Sequence, residues 1–340
     1  MKEEIKGFIL WPVCITVFFL VSITACKREQ MPLAEVETTG ILTITPVSAL
    51  VSGKVVSVMG DELIEKGICW GKSPSPTIND NKISAFLNPY LTPFEIIINH
   101  LTPETRYYVR AYASSAAGTA YGEELSFVTP FDLSGEQGSV TDIDGNVYST
   151  IGIGTQVWMA ENLKTTSFND GASIPEVSAN DAWCTTWTPA CCWYDNDEES
   201  GRNTYGALYN WYAVSTGKLC PAGWHVPDSA EIQKLTICLG RQDVAGGKMK
   251  VPGTQFWDPP NTGATNSSGF SGLPAGLRWG DNGGFFRKGR LLYLWTPSMG
   301  DSKNRTPWAW SYIISYDYSS LGLVPATSLS HGYSVRCIKD

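Results

Sequence analysis

Leu101-Thr102-Pro103-Glu104-Thr105-Arg106-Tyr107-Tyr108-Val109-Arg110-Ala111-Tyr112-Ala113 reads as a turn feeding a strand. Val109, Ala111 and Ala113 fall on one face, and Tyr108, Arg110 and Tyr112 on the other, because successive strand side chains point to opposite sides. Downstream, Ala116-Ala117-Gly118 closes a hairpin, and Tyr121-Gly122 to Thr129 gives a last strand. Upstream, ILTITPVSALVSGKVVSV (41–58) makes two alternating runs around Pro46 and Gly53. KGICWGKSP (66–74) centres on Trp70, and FEIIINHL (94–101) adds another run. Strands of about 5–8 residues at about 8–12-residue spacing, with no long helical period, predict an antiparallel β-sandwich over residues 38–130.

The same stretch resembles the E–F turn and F strand of fibronectin type III domains. There a Leu-x-Pro turn precedes a tyrosine whose hydroxyl reaches back to the backbone, and Tyr107 matches it. The resemblance makes Trp70 a core residue and the unit a spacer. Cys69, beside Trp70, reads as a small buried side chain.

The N-terminus reads as an address. Gly7 to Ser22 is an apolar run of 16 residues interrupted by Pro12. That is short of the ~20 a spanning helix needs. It ends in Ile23-Thr24-Ala25-Cys26, which resembles the lipobox of bacterial lipoproteins, although Ile23 stands where Leu is usual. The resemblance implies a signal peptide over 1–25, lipidation at Cys26 and a tether over 26–37. Cleavage at the same small residues as an ordinary signal peptide is the alternative. Lys27 and Arg28 stand where inner-membrane retention uses acids, so we expect an outer-membrane lipoprotein at the cell surface, or on the periplasmic face.

The 340 residues suit about two domains. Lys and Arg number 25 against 33 Asp and Glu, a net charge of -8, with no basic run. Nucleic acid is therefore a poor partner, since phosphate contacts need a basic face. Only three histidines are present, which argues against His-rich metal or catalytic centres.

Residues 131–139 read as a linker. Residues 140–340 hold 11 of the 13 Trp and six Cys, with many Gly, Asn and Pro. Asp228 and Glu231 form a capping box ahead of an apolar stripe at Ile232, Leu235 and Leu239, closed by Gly240. A second helix is expected over Ala207 to Ser215.

Ordered motifs run through this half: Asp144-Gly145-Asn146-Val147-Tyr148, Ile153 to Leu163 (IGTQVWMAENL), Tyr205 to Trp211 (YGALYNW), Leu219 to Pro227 (LCPAGWHVP), Asn261 to Asn266 (NTGATN) and Gly332 to Cys337 (GYSVRC). In this order they resemble the Fibrobacter succinogenes major paralogous domain family, found in secreted and lipid-anchored bacterial proteins, with no activity established for the class. This chain has Leu294-Trp295-Thr296-Pro297-Ser298 where that family usually has Trp-Trp-Ser-Ser. The helix start and Ser-Val-Arg-Cys end also resemble C-type lectin-like and formylglycine-generating-enzyme-like folds. The fold class expected is thus multidomain: an all-β fibronectin type III-like sandwich, then an α+β loop-rich domain.

An exported chain can oxidise its cysteines. We expect Cys220–Cys337, tying the first-helix region to the last strand, and Cys184 with Cys191 or Cys192. A zinc site is disfavoured: no CxxC pair exists, and adjacent cysteines suit tetrahedral ligation poorly. The run Asp195-Asn196-Asp197-Glu198-Glu199 offers weak calcium candidates in Asp195, Asp197 and Glu199, but departs from an EF-hand at positions 6 and 12. A solvated acidic loop is the alternative, and no other cofactor is expected. His225 reads as a structural histidine at the helix entry, and no nucleophile elbow accompanies it.

Flat aromatic faces near Asn, Asp and Arg suit sugar stacking or protein contact. Trp279 and Trp295, with Arg278, Asp281 and Asn282, are the expected ligand-binding residues; core packing is the alternative for any single Trp. The sequence therefore predicts a non-catalytic, lipid-anchored module for glycan or surface protein. A structural surface component and a two-carboxylate polysaccharide hydrolase remain open.

Overall fold

The computed structural model describes residues 33–58, 62–86, 92–300, 307–326 and 328–340. The expected signal peptide, Cys26 and the tether up to Pro32 lie outside them.

Among its described residues the first unit has eight strands: β1 (Glu35–Ile44), β2 (Ser48–Ser57), β3 (Leu63–Gly71), β4 (Asn81–Ser84), β5 (Phe94–Asn99), β6 (Arg106–Ser115), β7 (Gly118–Tyr121) and β8 (Leu125–Val128). One sheet runs β1-β2-β5; the other runs β4-β3-β6-β7, with β8 also on β6. Inward residues such as Val51, Ile68, Ile96, Val109 and Ala111 share one core. Tyr107 is buried, and its hydroxyl accepts the Thr102 amide at 3.0 Å. Trp70 only half-buries at the edge of this core. Cys69 is buried on the opposite face, its thiol 3.4 Å from the Pro76 carbonyl.

Two expected boundaries shift. β1 begins at Glu35, inside the expected tether, because Glu35 already pairs with Ser57. The expected linker is also seated. Leu133 N–H donates to Gly154 O at 2.7 Å, and β9 (Gln137–Thr141) is already in the second unit's sheet.

That sheet runs β14-β20-β11-β10-β9. Its remaining strands are β10 (Val147–Ile153), β11 (Gln156–Met159), β14 (Trp224–His225) and β20 (Ile338–Lys339). Short pairs β12 (Cys191–Cys192) with β13 (Leu208–Tyr209), and β15 (Leu277–Arg278) with β16 (Phe285–Phe286), sit beside a three-stranded sheet. The latter holds β17 (Leu291–Met299), β18 (Ala309–Ser315) and β19 (Leu321–Ala326). The helices are α1 (Asn180–Cys184), α2 (Glu198–Ser200), α3 (Trp211–Val214), α4 (Ser229–Cys238) and α5 (Gln242–Met249). None of the described helices is long and apolar enough to cross a membrane.

The capping box of α4 forms as read, with Asp228 accepting the Glu231 amide at 2.9 Å. The expected helix over 207–215 shortens to α3. Tyr209 instead bridges to Tyr333 through both backbone bonds, and Asn210 caps α3 by accepting the Ala213 amide. Ile237 of α4 meets Leu50 and Ile97 of the first unit.

A loop-rich domain must satisfy many carbonyls that no ladder reaches. Three buried cations serve here. Lys250 donates to the carbonyls of Thr262, Ser315 and Tyr318 at 2.8–2.9 Å. Arg336 donates to the Phe270 and Ser271 carbonyls and, at 2.9 Å, to the Asn162 amide oxygen. Arg278 is the third, and it lies beneath the site described next.

Candidate functional site

The hairpin β15–β16 builds the site. Leu277 pairs with Phe286 and Arg278 with Phe285. The connecting loop is tight: Trp279 N–H donates to Gly284 O at 2.8 Å, and Gly283 N–H to Trp279 O at 2.9 Å. Gly283 has φ +66, and a Cβ there would come within 2.6 Å of Asn180 Cα, so only glycine fits.

Arg278 fastens this loop from below. Its Nε donates to Gly283 O at 2.9 Å, and its terminal nitrogens reach Val177 O, Ser178 O and Asn180 Oδ1. The guanidinium lies 4.6 Å from the Trp183 ring and 4.7 Å from Phe285. Arg278 is fully buried, which overturns the expectation that it faces a ligand.

Trp279 sits above, 37% exposed. Its Nε1 donates to Asp281 Oδ2 at 3.0 Å, and Phe286 meets it edge-on at 6.4 Å. His331 lies under it at 4.7 Å. Below His331 comes Tyr333 at 5.5 Å, and Tyr333 contacts Tyr293 at 4.6 Å and Trp295 at 4.5 Å. The column therefore runs from the core to the surface. Its buried end is Trp295, 1% exposed, whose Nε1 donates to Tyr209 O at 2.7 Å. That corrects the expectation of an exposed Trp295. Burial pushes His331 down to about 4, so the ring is neutral and its Nδ1 accepts the Gly280 amide at 2.9 Å.

Beside the column is an open cleft of about 400 Å³ lined by Leu277, Trp279, Asn282, Phe286, Arg287 and Tyr293. The volume is within the usual range for small-molecule sites. Asn282 is exposed, and its Oδ1 accepts the Gly284 amide at 2.9 Å. Asp281 is exposed next to it and orients Trp279. Burial raises the Tyr293 hydroxyl, against the pull of nearby Arg287. An aromatic face, an amide and a guanidinium line the same cleft.

Of the five residues expected to bind ligand, Trp279 and Asn282 line this cleft, Asp281 holds Trp279, and Arg278 and Trp295 support it from inside. Sequence reasoning missed Leu277, Phe286, Arg287 and Tyr293. The run Phe285-Phe286-Arg287-Lys288-Gly289-Arg290 carried the signal: three cations beside two aromatics in an acidic chain.

The cysteines partly match expectation. Cys220 and Cys337 are bonded, with Cα atoms 6.0 Å apart. Cys184, Cys191 and Cys192 are free. Adjacent strand residues face opposite ways, so Cys191 enters one core and Cys192 the other, and the expected second bridge is absent.

The acidic run is spent locally. Asp197 caps α2 by accepting the Ser200 amide, and Glu198 pairs with Arg202. Asp195, Asp197 and Glu199 are exposed. Among the described residues no three His, Cys, Asp or Glu side chains converge where a metal could sit.

His225 bonds Glu231 at 3.0 Å and Asp340 at 2.6 Å, joining the entry of α4 to the end of β20.

A family model described as the Fibrobacter succinogenes major domain matches residues 151–339. No curated protein matches the chain. Similar solved structures include the sensor domain of the anti-sigma factor RsgI4 in Pseudobacteroides cellulosolvens, at 17% identity over 29% of this chain and 96% of that one, TM-score 0.23. Another is the sixth fibronectin type III domain from human fibronectin type III domain containing protein 3, at 24% identity over 32% of this chain and 91% of that one, TM-score 0.21.

Proposed function

The chain belongs to the Fibrobacter succinogenes major domain family through residues 151–339, and from that premise we propose that it is a cell-envelope glycan-binding protein. A lipid on Cys26 anchors it to the outer membrane, with the first unit as a fibronectin type III-like spacer. The second unit, read as C-type lectin-like or formylglycine-generating-enzyme-like, presents the cleft at Trp279.

One observation carries the reading. Trp279 is a flat, partly exposed indole held by Asp281 on its edge and by His331 beneath it, at the wall of a cleft that also holds Asn282 and Arg287. A ring fixed before binding loses little freedom when a sugar stacks on it.

The test is a glycan array probed with the whole chain, with and without calcium, beside Trp279→Ala. Sugar binding lost in the variant, with the melting temperature kept, supports the reading. A blank array from a folded chain overturns it and turns the search to protein partners.

A further inference from the structure

Three cations stand together in the turn between β16 and β17: Arg287, Lys288 and Arg290. Two are engaged. Arg290 pairs with Asp258 at 2.8 Å, and Lys288 lies over the rings of Tyr205 at 4.6 Å and Tyr194 at 5.3 Å. Arg287 is exposed and has no carboxylate partner among the described residues. It adopts φ +68, the left-handed region that suits Gly or Asn. Its carbonyl closes the turn by accepting the Arg290 and Leu291 amides, both at 3.0 Å. The turn itself gains nothing from an arginine there.

Arg287 also borders a second cleft, of about 320 Å³, with Ile313, Tyr316, Asp317 and Tyr318 among its walls. The two clefts thus flank one guanidinium. Of the nearby acids, Asp258 pairs with Arg290, while Asp281 and Asp317 accept from the neutral Trp279 and Ser315, keep their charge, and make no ion pair with Arg287 among the described residues. In a chain of net charge -8, a free guanidinium between two clefts is a local exception.

We infer that the ligand is an acidic oligosaccharide spanning both clefts, with one sugar stacked on Trp279 and a carboxylate on Arg287. This rests on the glycan-binding reading and names its substrate class. A planar guanidinium matches a carboxylate in two-point contact with charge on both partners, and a neutral sugar's hydroxyls lack that charge.

The experiment is calorimetric titration of the whole chain in mild detergent. The probes are oligosaccharides of polygalacturonate, hyaluronan and alginate, each as free acid and as its neutral methyl ester, with neutral cello- and xylo-oligosaccharides. At least one acid is expected to bind about tenfold or more tightly than its ester, the worth of one charged hydrogen-bonded pair. Arg287→Gln should erase that preference without moving the melting temperature, and Arg287→Lys should restore part of it. Trp279→Ala should weaken acid and ester alike. Equal binding of acid and ester, lost in Trp279→Ala and unchanged in Arg287→Gln, overturns the acidic class and leaves the glycan reading standing. No binding of any acid or neutral sugar by the folded chain overturns both.

Discussion

His331 lies 4.7 Å beneath Trp279, and its Nδ1 accepts the Gly280 amide at 2.9 Å, so the ring that shapes the cleft rests on a neutral histidine. A protonated imidazole has no lone pair for that amide. Burial holds His331 down to about 4, whereas an unfolded chain takes up this proton near 6.5. Between those values the unfolded state binds more protons. Stability linked to His331 is therefore present at neutral pH and falls as the pH drops from 6.5 towards 4, by roughly 3 kcal/mol in all. His331→Gln keeps an acceptor for Gly280 and removes the titration. Denaturant unfolding at pH 7.5 and 4.5 should show a smaller acid loss in the variant; equal losses sink the idea.

His225 works in the opposite direction. Burial opposes its charge, but Asp340 and Glu231 outweigh that and raise its pKa. Its stabilising contribution is full below the unfolded value near 6.5 and disappears as the pH rises through the higher folded value. His225→Gln should therefore lower the melting temperature at pH 5.5 and leave it nearly unchanged at pH 9. A loss that is larger at pH 9 would contradict the pairing.

Tyr107 tests the first unit alone. Its hydroxyl accepts the Thr102 amide from a buried position. Tyr107→Phe leaves that amide without its acceptor, for a cost of about 1 kcal/mol. Scanning calorimetry should show the first unit's transition lowered and the second unit's unmoved. A shift in both would mean the units do not unfold separately.

These residues also show what sequence could disclose. Tyr107 and the strands around it alternate with period two, so facing follows from spacing. The capping box at Asp228 and Glu231 is equally local. Trp279 and Trp295 look alike in sequence, yet one is exposed and the other is tied to the Tyr209 carbonyl. Arg278 takes its acceptors from Val177 and Ser178. Cations ordinarily face water, so a buried arginine feeding distant loop carbonyls had no local mark. In loops without a period, burial is decided by contacts far along the chain.

The Cys220–Cys337 bond joins residues 117 apart. Closing so long a loop restricts the unfolded chain, and its removal typically costs about 2–5 kcal/mol. Replacing both cysteines by Ala should lower the second unit's melting temperature markedly. Alkylating the denatured, unreduced chain should label Cys69, Cys184, Cys191, Cys192 and Cys238 but not Cys220 or Cys337. A peptide linking Cys184 to Cys191 or Cys192 would refute this pattern.

Arg336 gives the sharpest test of the second unit. Its guanidinium is buried 4.0 Å from the Phe270 ring, donates to the Phe270 and Ser271 carbonyls, and meets Asn162 Oδ1 at 2.9 Å from one terminal nitrogen and 3.2 Å from Nε. Asn162 in turn donates to Tyr205 O at 2.9 Å, so one residue pair joins four segments of the loop-rich domain. Arg336→Ala leaves those acceptors buried without donors, at a cost of about 3 kcal/mol or more. Arg336→Lys carries the charge without the planar fork and cannot reach all of them. Both variants should lose most of the second unit's unfolding transition while Tyr107 and the first unit keep theirs. If Arg336→Lys melts like the native chain, the fork geometry is not what joins the segments.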